Sequence, residues 1–276
     1  MTLAARNFVL YTGITLSFLL LCGFGFVGYT LITGNISDQP LDVPNEQIWF
    51  GRHLLVPDSG VYYSLASAGV LGVISVTGVL VAARVFRRLS SAEVFFFTVF
   101  MMSLSLELLR IGQLPLIATE QPPVYGTLLS RAILFGRLFG YLVLFASGIY
   151  AAGAQYPRVG TLTLLLATLA FLVVYFVPVD LLWMNATLVH RVGGRESVDA
   201  VLAFLSLATI ANYAYAWATG RTDRGFMLFS SVVLLVVGRE LSFNVPGIAT
   251  SAVGVALVAA GAVGYMATTR SHYLWY

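Results

Sequence analysis

Eight apolar stretches, each close to the length of a bilayer crossing, divide this 276-residue chain and leave little between them. They run from about Phe8 to Leu31, Tyr62 to Val85, Ala92 to Gly112, Leu128 to Gly153, Thr161 to Pro178, Val198 to Ala218, Phe226 to Phe243 and Gly247 to Thr268. Polar or turn residues bound each one. A crossing takes roughly 20 residues, so eight consume about 160 and the rest suffices only for loops. Charge agrees: 10% of the residues are charged, against about 25% in a soluble domain. Such a chain cannot clothe a globular surface. That excludes an ordinary cytosolic enzyme, a disordered protein and a nucleic-acid-binding domain. The expected fold is all-α, a polytopic membrane helix bundle of eight transmembrane helices, made of an anchor helix plus seven.

Three segments are expected: an N-terminal anchor helix over 1–33, an extracytoplasmic loop or lid over 34–60, and a seven-helix transmembrane bundle over 61–276. The first stretch reads as an uncleaved anchor, because its core is long and no small-residue cleavage site follows at Thr33-Gly34-Asn35. With eight spans and a cytoplasmic N-terminus, Arg6, Arg84, Arg87, Arg88, Arg158, Arg221, Arg224 and Arg270 all fall inside. Outer loops receive Arg52, Arg191 and Arg195 beside acids such as Asp38, Asp42, Glu46, Asp58, Glu120, Asp180, Glu196 and Asp199. This is the asymmetry of the positive-inside rule. Both termini are therefore expected in the cytoplasm, in a multi-pass protein of the cell membrane.

The outer connections are the longer ones. The segment Thr33 to Gly60 carries Ile48-Trp49-Phe50 and Leu54-Leu55-Val56 and is expected to fold over the helix ends. Val179 to Ser197 reads as an interfacial helix, capped by Asp180 after Pro178 and stopped by Gly193-Gly194. Its His190, near Glu196 and Asp199, matches no ligand spacing and reads as a solvated histidine.

Residue usage removes further functions. Every one of the fifteen basic residues is Arg, and without a lysine no retinal Schiff base can form. Cys22 is the single cysteine, and His53, His190 and His272 are too scattered for a haem bundle or a histidine zinc site. No cofactor and no metal are expected.

Charges inside the apolar stretches are the candidate site. Arg110, Arg131, Arg137 and Arg239 lie there with Glu107 and Glu240. Arg131 is near enough to an interface to snorkel. At 1.5 Å per residue, Glu107 sits roughly 8 Å, Arg239 roughly 6 Å and Arg137 roughly 13 Å from the outer ends of their spans. Three helices thus bring charge to one outer layer. Each such group costs about 2.5–3.5 kcal/mol in hydrocarbon, so these charges should face one another. Arg137 also lies within Gly136-x-x-x-Gly140, a pattern that lets a neighbouring helix come close. The expected pairings are Glu107 with Arg137, and Glu240 with Arg110 or Arg239. One positive charge is left over.

Two consequences compete. The pairs fix helix neighbours and nothing else, or the surplus Arg faces a water-filled outer pocket and binds an anion. The second gives the functional expectation. It is a receptor-like or sensory module whose ligand-binding residues are Glu107, Arg110, Arg137, Arg239 and Glu240, taking a small anionic or zwitterionic ligand. Its partners would be the lipid bilayer and a separate cytoplasmic or membrane protein, with no nucleic acid. The helix count is similar to that of the seven-helix sensor regions of bacterial signalling proteins, a likeness of count alone. Alternatives are an accessory subunit of a membrane complex, a transporter subunit and a lipid-active membrane enzyme. A transporter should show helices broken near mid-membrane, and no stretch is plainly interrupted there. An enzyme should show a nucleophile or metal set, and none is identifiable.

Lesser polar residues have structural readings. Asn212, Tyr213, Ser230 and Ser231 are expected to hydrogen-bond between helices, and Gly247, Ser251, Gly254 and Gly261 to form a packing stripe.

Overall fold

The computed structural model describes residues 3–33, 60–85, 91–154, 158–185, 187–220, 225–244 and 247–274. The expected lid lies almost wholly outside them, as do Arg52, Arg87, Arg88, Arg221 and Arg224. The described residues are almost entirely helical. Its helices are α1 (Leu3–Ile32), α2 (Gly60–Val85), α3 (Ala92–Leu104), α4 (Gln113–Ala118), α5 (Pro123–Ala151), α6 (Val159–Phe176), α7 (Arg195–Ala218), α8 (Gly225–Asn244) and α9 (Ile248–Leu274). A 3₁₀ helix, Ser105–Gly112, joins α3 to α4, so these three pieces make one continuous span. Eight helices among the described residues are long and apolar enough to cross a membrane, and they match the eight apolar stretches.

The third span is the centre of the bundle and the most buried. It is surrounded by α1, α2 and α5, while α5 also supports α6 and α7. Its core face is a run of large side chains, Phe96, Phe97, Phe100, Met101 and Leu104, all fully buried. The outer helices α1 and α6 turn most of their apolar surface outward, the arrangement expected of helices solvated by lipid. The expected stripe on α9 packs against α8. A Cβ on Gly254 would meet the Ser242 backbone nitrogen at 2.7 Å, and one on Gly261 would meet the Ser231 carbonyl at 2.6 Å.

Two expectations are corrected. Val179 to Ser197 is not an interfacial helix. Its first part is an antiparallel hairpin of β1 (Val179–Met184) and β2 (His190–Val192), with Val179 opposite Val192 and Met184 opposite His190. Pro178 and Gly193 close it, the Gly193 N–H donating to the Pro178 carbonyl at 2.7 Å. A Cβ on Gly193 would lie 2.8 Å from Pro178 Cγ, so this glycine permits the closure instead of stopping a helix. The third span, read as uninterrupted, changes to 3₁₀ geometry for eight residues. Such runs seldom exceed three or four residues.

Candidate functional site: a buried arginine–glutamate cluster

The 3₁₀ segment carries the first two charges. With three residues per turn, side chains at i and i+3 eclipse, so Glu107 and Arg110 project from one edge. Arg110 Nη2 donates to Glu107 Oε2 at 3.2 Å, and its Nη1 donates to Ser64 Oγ on α2 at 3.0 Å. The other oxygen of Glu107 accepts from Arg239 Nε on α8 at 3.4 Å. One carboxylate thus bridges two guanidinium groups. All three residues are sealed, with Arg110 and Arg239 at 0% exposure and Glu107 at 1%.

Small residues make this closeness possible. A Cβ on Gly136 would fall 2.7 Å from Leu106 Cβ on the 3₁₀ segment. One on Gly140 would collide with Arg239 Nη1 and Ser103 Oγ. The expected close approach at Gly136-x-x-x-Gly140 is thus to the third span and to Arg239. Arg239 Nη2 also donates to the Gly136 carbonyl at 3.3 Å.

The second group is Arg137 with Glu240. Arg137 Nη2 donates to Glu240 Oε2 at 2.5 Å, the Tyr141 hydroxyl donates to Glu240 Oε1, and Asn244 Nδ2 donates to Oε2 at 2.6 Å. Tyr141 and Asn244 stand one helical turn after Arg137 and Glu240 respectively. Phe243 ties the groups together. The Arg110 and Arg137 guanidinium carbons lie 4.2 and 4.1 Å from its ring centroid. Arg239 lies 5.0 Å from the Tyr141 ring and 5.4 Å from that of Phe100. Aromatic faces within about 6 Å attract cations, and here they spread charge that carboxylates do not neutralise.

All five expected residues therefore come together, but the pairing is exchanged. Glu107 holds Arg110 and Arg239 instead of Arg137, and Glu240 holds Arg137 instead of Arg110 or Arg239. The surplus positive charge falls in the sealed triad. Buried Arg110 Nε, Arg137 Nε and Arg239 Nη1 have no hydrogen-bond partner. Glu240 is the open edge, its side chain 32% exposed beside Arg137 at 6%. Sequence reasoning missed Ser64, Tyr141, Phe243 and Asn244 as members of this cluster.

Two other polar groups stand apart. Glu93, at the start of α3, escaped notice although it opens the third apolar stretch. Its Oε1 accepts from the Tyr265 hydroxyl at 3.0 Å, and its backbone carbonyl accepts from Ser147 Oγ at 2.9 Å. Tyr213 joins this knot through Ser147 at 2.8 Å, so its expected interhelical bonding is found. Ser230 and Ser231 instead donate to carbonyls of their own helix, and buried Asn212 Nδ2 has no partner. His190, expected to be solvated, is buried where β2 docks on α5. Its N–H donates to Ser130 Oγ at 2.9 Å, and its Nδ1 lies 3.1 Å from the Asp180 carbonyl. Burial holds the ring's pKa below its ordinary value, against the smaller raising effects of the Asp180 carbonyl and carboxylate.

Among the described residues, no group of three or more His, Cys, Asp or Glu could hold a metal ion. No protein-family model, curated protein or solved structure matches this chain.

Proposed function

We propose that this chain is a receptor-like module of the cell membrane, with both termini in the cytoplasm, whose Arg/Glu cluster takes a small anionic group from the outer side. The observation that carries the reading is an imbalance. Three Arg share two Glu, and three buried guanidinium N–H groups have no acceptor. A carboxylate or phosphate would accept paired hydrogen bonds from a guanidinium and complete the charge. Glu240 is the natural point of entry, because it is the one member of the five that is substantially exposed. The Arg distribution between loops supports the orientation.

A second reading has its own support. Arg110 and Arg239 are wholly sealed and face aromatic rings, as expected if the cluster only fixes helix neighbours in an accessory subunit of a membrane complex.

Thermal unfolding of the purified protein and of Arg137→Gln separates the two. The probes are acetate, succinate, inorganic phosphate and phosphocholine at matched ionic strength. For a receptor, at least one anion raises the wild-type Tm and the variant loses that response while keeping its fold. If no anion stabilises the wild type and the variant simply melts earlier, the cluster is architectural.

A further inference from the structure

The hairpin between α6 and α7 reaches the charge cluster through one buried side chain, Val189, and is anchored beside it by a second, Leu188. Val189 shares an apolar cluster with Ile133, Leu109 and Phe243, whose ring lies against Arg110 and Arg137. Leu188, fully buried, packs with Leu65, Ile111 and Leu114 at the far end of the third span. The hairpin thus covers the Phe243 end of the cluster.

Its turn is strained. Leu188 has φ of 57°, a left-handed backbone that costs a residue with a side chain free energy and persists only where the surroundings impose it. Here the imposing contacts are the burial of Leu188 and two turn hydrogen bonds, Leu188 N–H to the Asn185 carbonyl at 2.8 Å and Asn185 N–H to the Val189 carbonyl at 3.0 Å. Undocking would release that strain.

One residue at the docking interface can change charge near neutral pH. His190 Nδ1 faces a carbonyl, so it carries the hydrogen and donates it to Asp180. This leaves Nε2 as the unprotonated nitrogen. Nε2 points at the start of α5, where a Cβ on Gly126 would meet it at 2.6 Å and would meet Gln113 Oε1 at 2.8 Å. The NH2 of Gln113 is engaged elsewhere, donating to the Gly126 carbonyl at 2.8 Å and to Ser130 Oγ at 3.1 Å, and Oε1 is the atom on the His190 side, outside hydrogen-bond contact with the ring. The groups facing His190 are therefore Asp180 from β1, Gln113 from α4, and Gly126 and Ser130 from α5. Asp180 is the charged one among them, and its attraction is smaller than the opposing effect of burial.

We propose that the β1–β2 hairpin is a cover over the Arg137–Phe243 end of the cluster, latched while His190 is neutral and released when His190 takes up a proton. The sign follows from linkage. The undocked imidazole titrates near its ordinary value of about 6.5, while the docked one resists protonation. Acid therefore favours the undocked form, and the preference for the latch is complete above that range. The undocked population therefore rises as the pH falls through about 6.5, by at most about tenfold per pH unit, the limit for a docked ring that never protonates. The inference stands on the packing of the hairpin and does not require the cluster to bind a ligand.

Hydrogen exchange of the full chain in lipid nanodiscs tests it, at about pH 7.5 and about pH 5.5, with rates corrected for intrinsic exchange. The amides of Leu188, His190 and Gly193 should lose protection at the lower pH in wild type, by at most about tenfold, while those of α5 hold theirs. His190→Gln should abolish the difference. If that variant is unprotected throughout, His190→Asn, which can still donate toward the Asp180 carbonyl, takes its place. Wild-type protection that is equal at both pH values overturns the proposal. So does a loss of the wild-type size that survives in either variant, and so does equal loss in α5, which would mean general unfolding.

Discussion

Glu107 and Arg239 stand 132 positions apart in the chain and meet inside the bundle, Oε1 to Nε at 3.4 Å, while the other oxygen of the same carboxylate holds Arg110. This makes Glu107 the one anion shared by two sealed cations. Removing a partner from a buried pair costs about 3–5 kcal/mol, because the charge left behind can neither reach water nor find another counter-ion. Glu107→Gln should therefore lower stability by about that amount, measured by reversible unfolding in detergent. Glu240→Gln should cost clearly less, since its carboxylate is 32% exposed and water screens the loss. Equal costs would mean that the triad is wetter than its burial implies.

How much of this was legible in the sequence depends on the kind of signal. The eight spans were, because each is a long apolar run and nothing else can satisfy its backbone in lipid. The convergence of Glu107, Arg110, Arg137, Arg239 and Glu240 was also legible, from the cost of leaving charge in hydrocarbon. The pairing was not. In an α-helix Glu107 and Arg110 would lie roughly 60° apart around the axis, whereas 3₁₀ geometry eclipses them and gives the carboxylate to its own neighbour first. Nothing in Ser105–Gly112 announces that change of winding. Tyr141 and Asn244 could have been found as the i+4 neighbours of Arg137 and Glu240. Phe243 read as one more core aromatic. The hairpin was hidden because its closure depends on Pro178 meeting Gly193 across fourteen intervening residues, a tertiary fact.

Phe243 separates the packing of the cluster from its electrostatics. Its ring serves Arg110 and Arg137 together, with guanidinium carbons 4.2 and 4.1 Å from the centroid. Phe243→Leu keeps an apolar side chain but removes the π face. A cation–π contact is worth about 1 kcal/mol when exposed and about 2 when desolvated, so losing the two on this ring should cost about 2–4 kcal/mol. Phe243→Tyr, which keeps the face, should cost less if the added hydroxyl finds room. A leucine variant as stable as wild type would show that the rings only fill space.

Gly140 tests the close approach. The place of its missing Cβ is already taken by Arg239 Nη1 and Ser103 Oγ. Gly140→Ala would raise helix propensity by about 1 kcal/mol, so a neutral or stabilising result is the default for an uncrowded helix. Here overpacking should win, at about 1–3 kcal/mol of net destabilisation, because Arg239 cannot retreat without abandoning Glu107 or the Gly136 carbonyl. Gly23 on α1 supplies the control, since a Cβ there would meet nothing within 4 Å. Gly23→Ala should be neutral or stabilising in the same assay.

The knot around Glu93 gives the last prediction, and counting hydrogens decides it. Ser147 has one hydroxyl hydrogen and donates it to the Glu93 backbone carbonyl at 2.9 Å. The 2.8 Å contact between Ser147 and Tyr213 must then run from Tyr213 to Ser147. Tyr265 has its own hydrogen on Glu93 Oε1 at 3.0 Å. The two tyrosines are thus unlike: Tyr265 donates to a carboxyl group and Tyr213 to a neutral hydroxyl. A hydrogen bond to a charged group is worth about 1.5–3 kcal/mol, and one between neutral groups about 0.5–1.5 kcal/mol. Phenylalanine keeps either ring in place, including the Tyr265 ring stacked on Phe97 at 3.8 Å, so the substitutions isolate the hydroxyls. With the Glu93 carboxyl ionised, at about pH 9, Tyr265→Phe should destabilise more than Tyr213→Phe. In a double-mutant cycle with Glu93→Gln, Tyr265→Phe should show the larger coupling, because glutamine removes the carboxylate that Tyr265 addresses and Tyr213 does not. A Tyr213 coupling as large as that of Tyr265 would reverse the assigned direction of the chain.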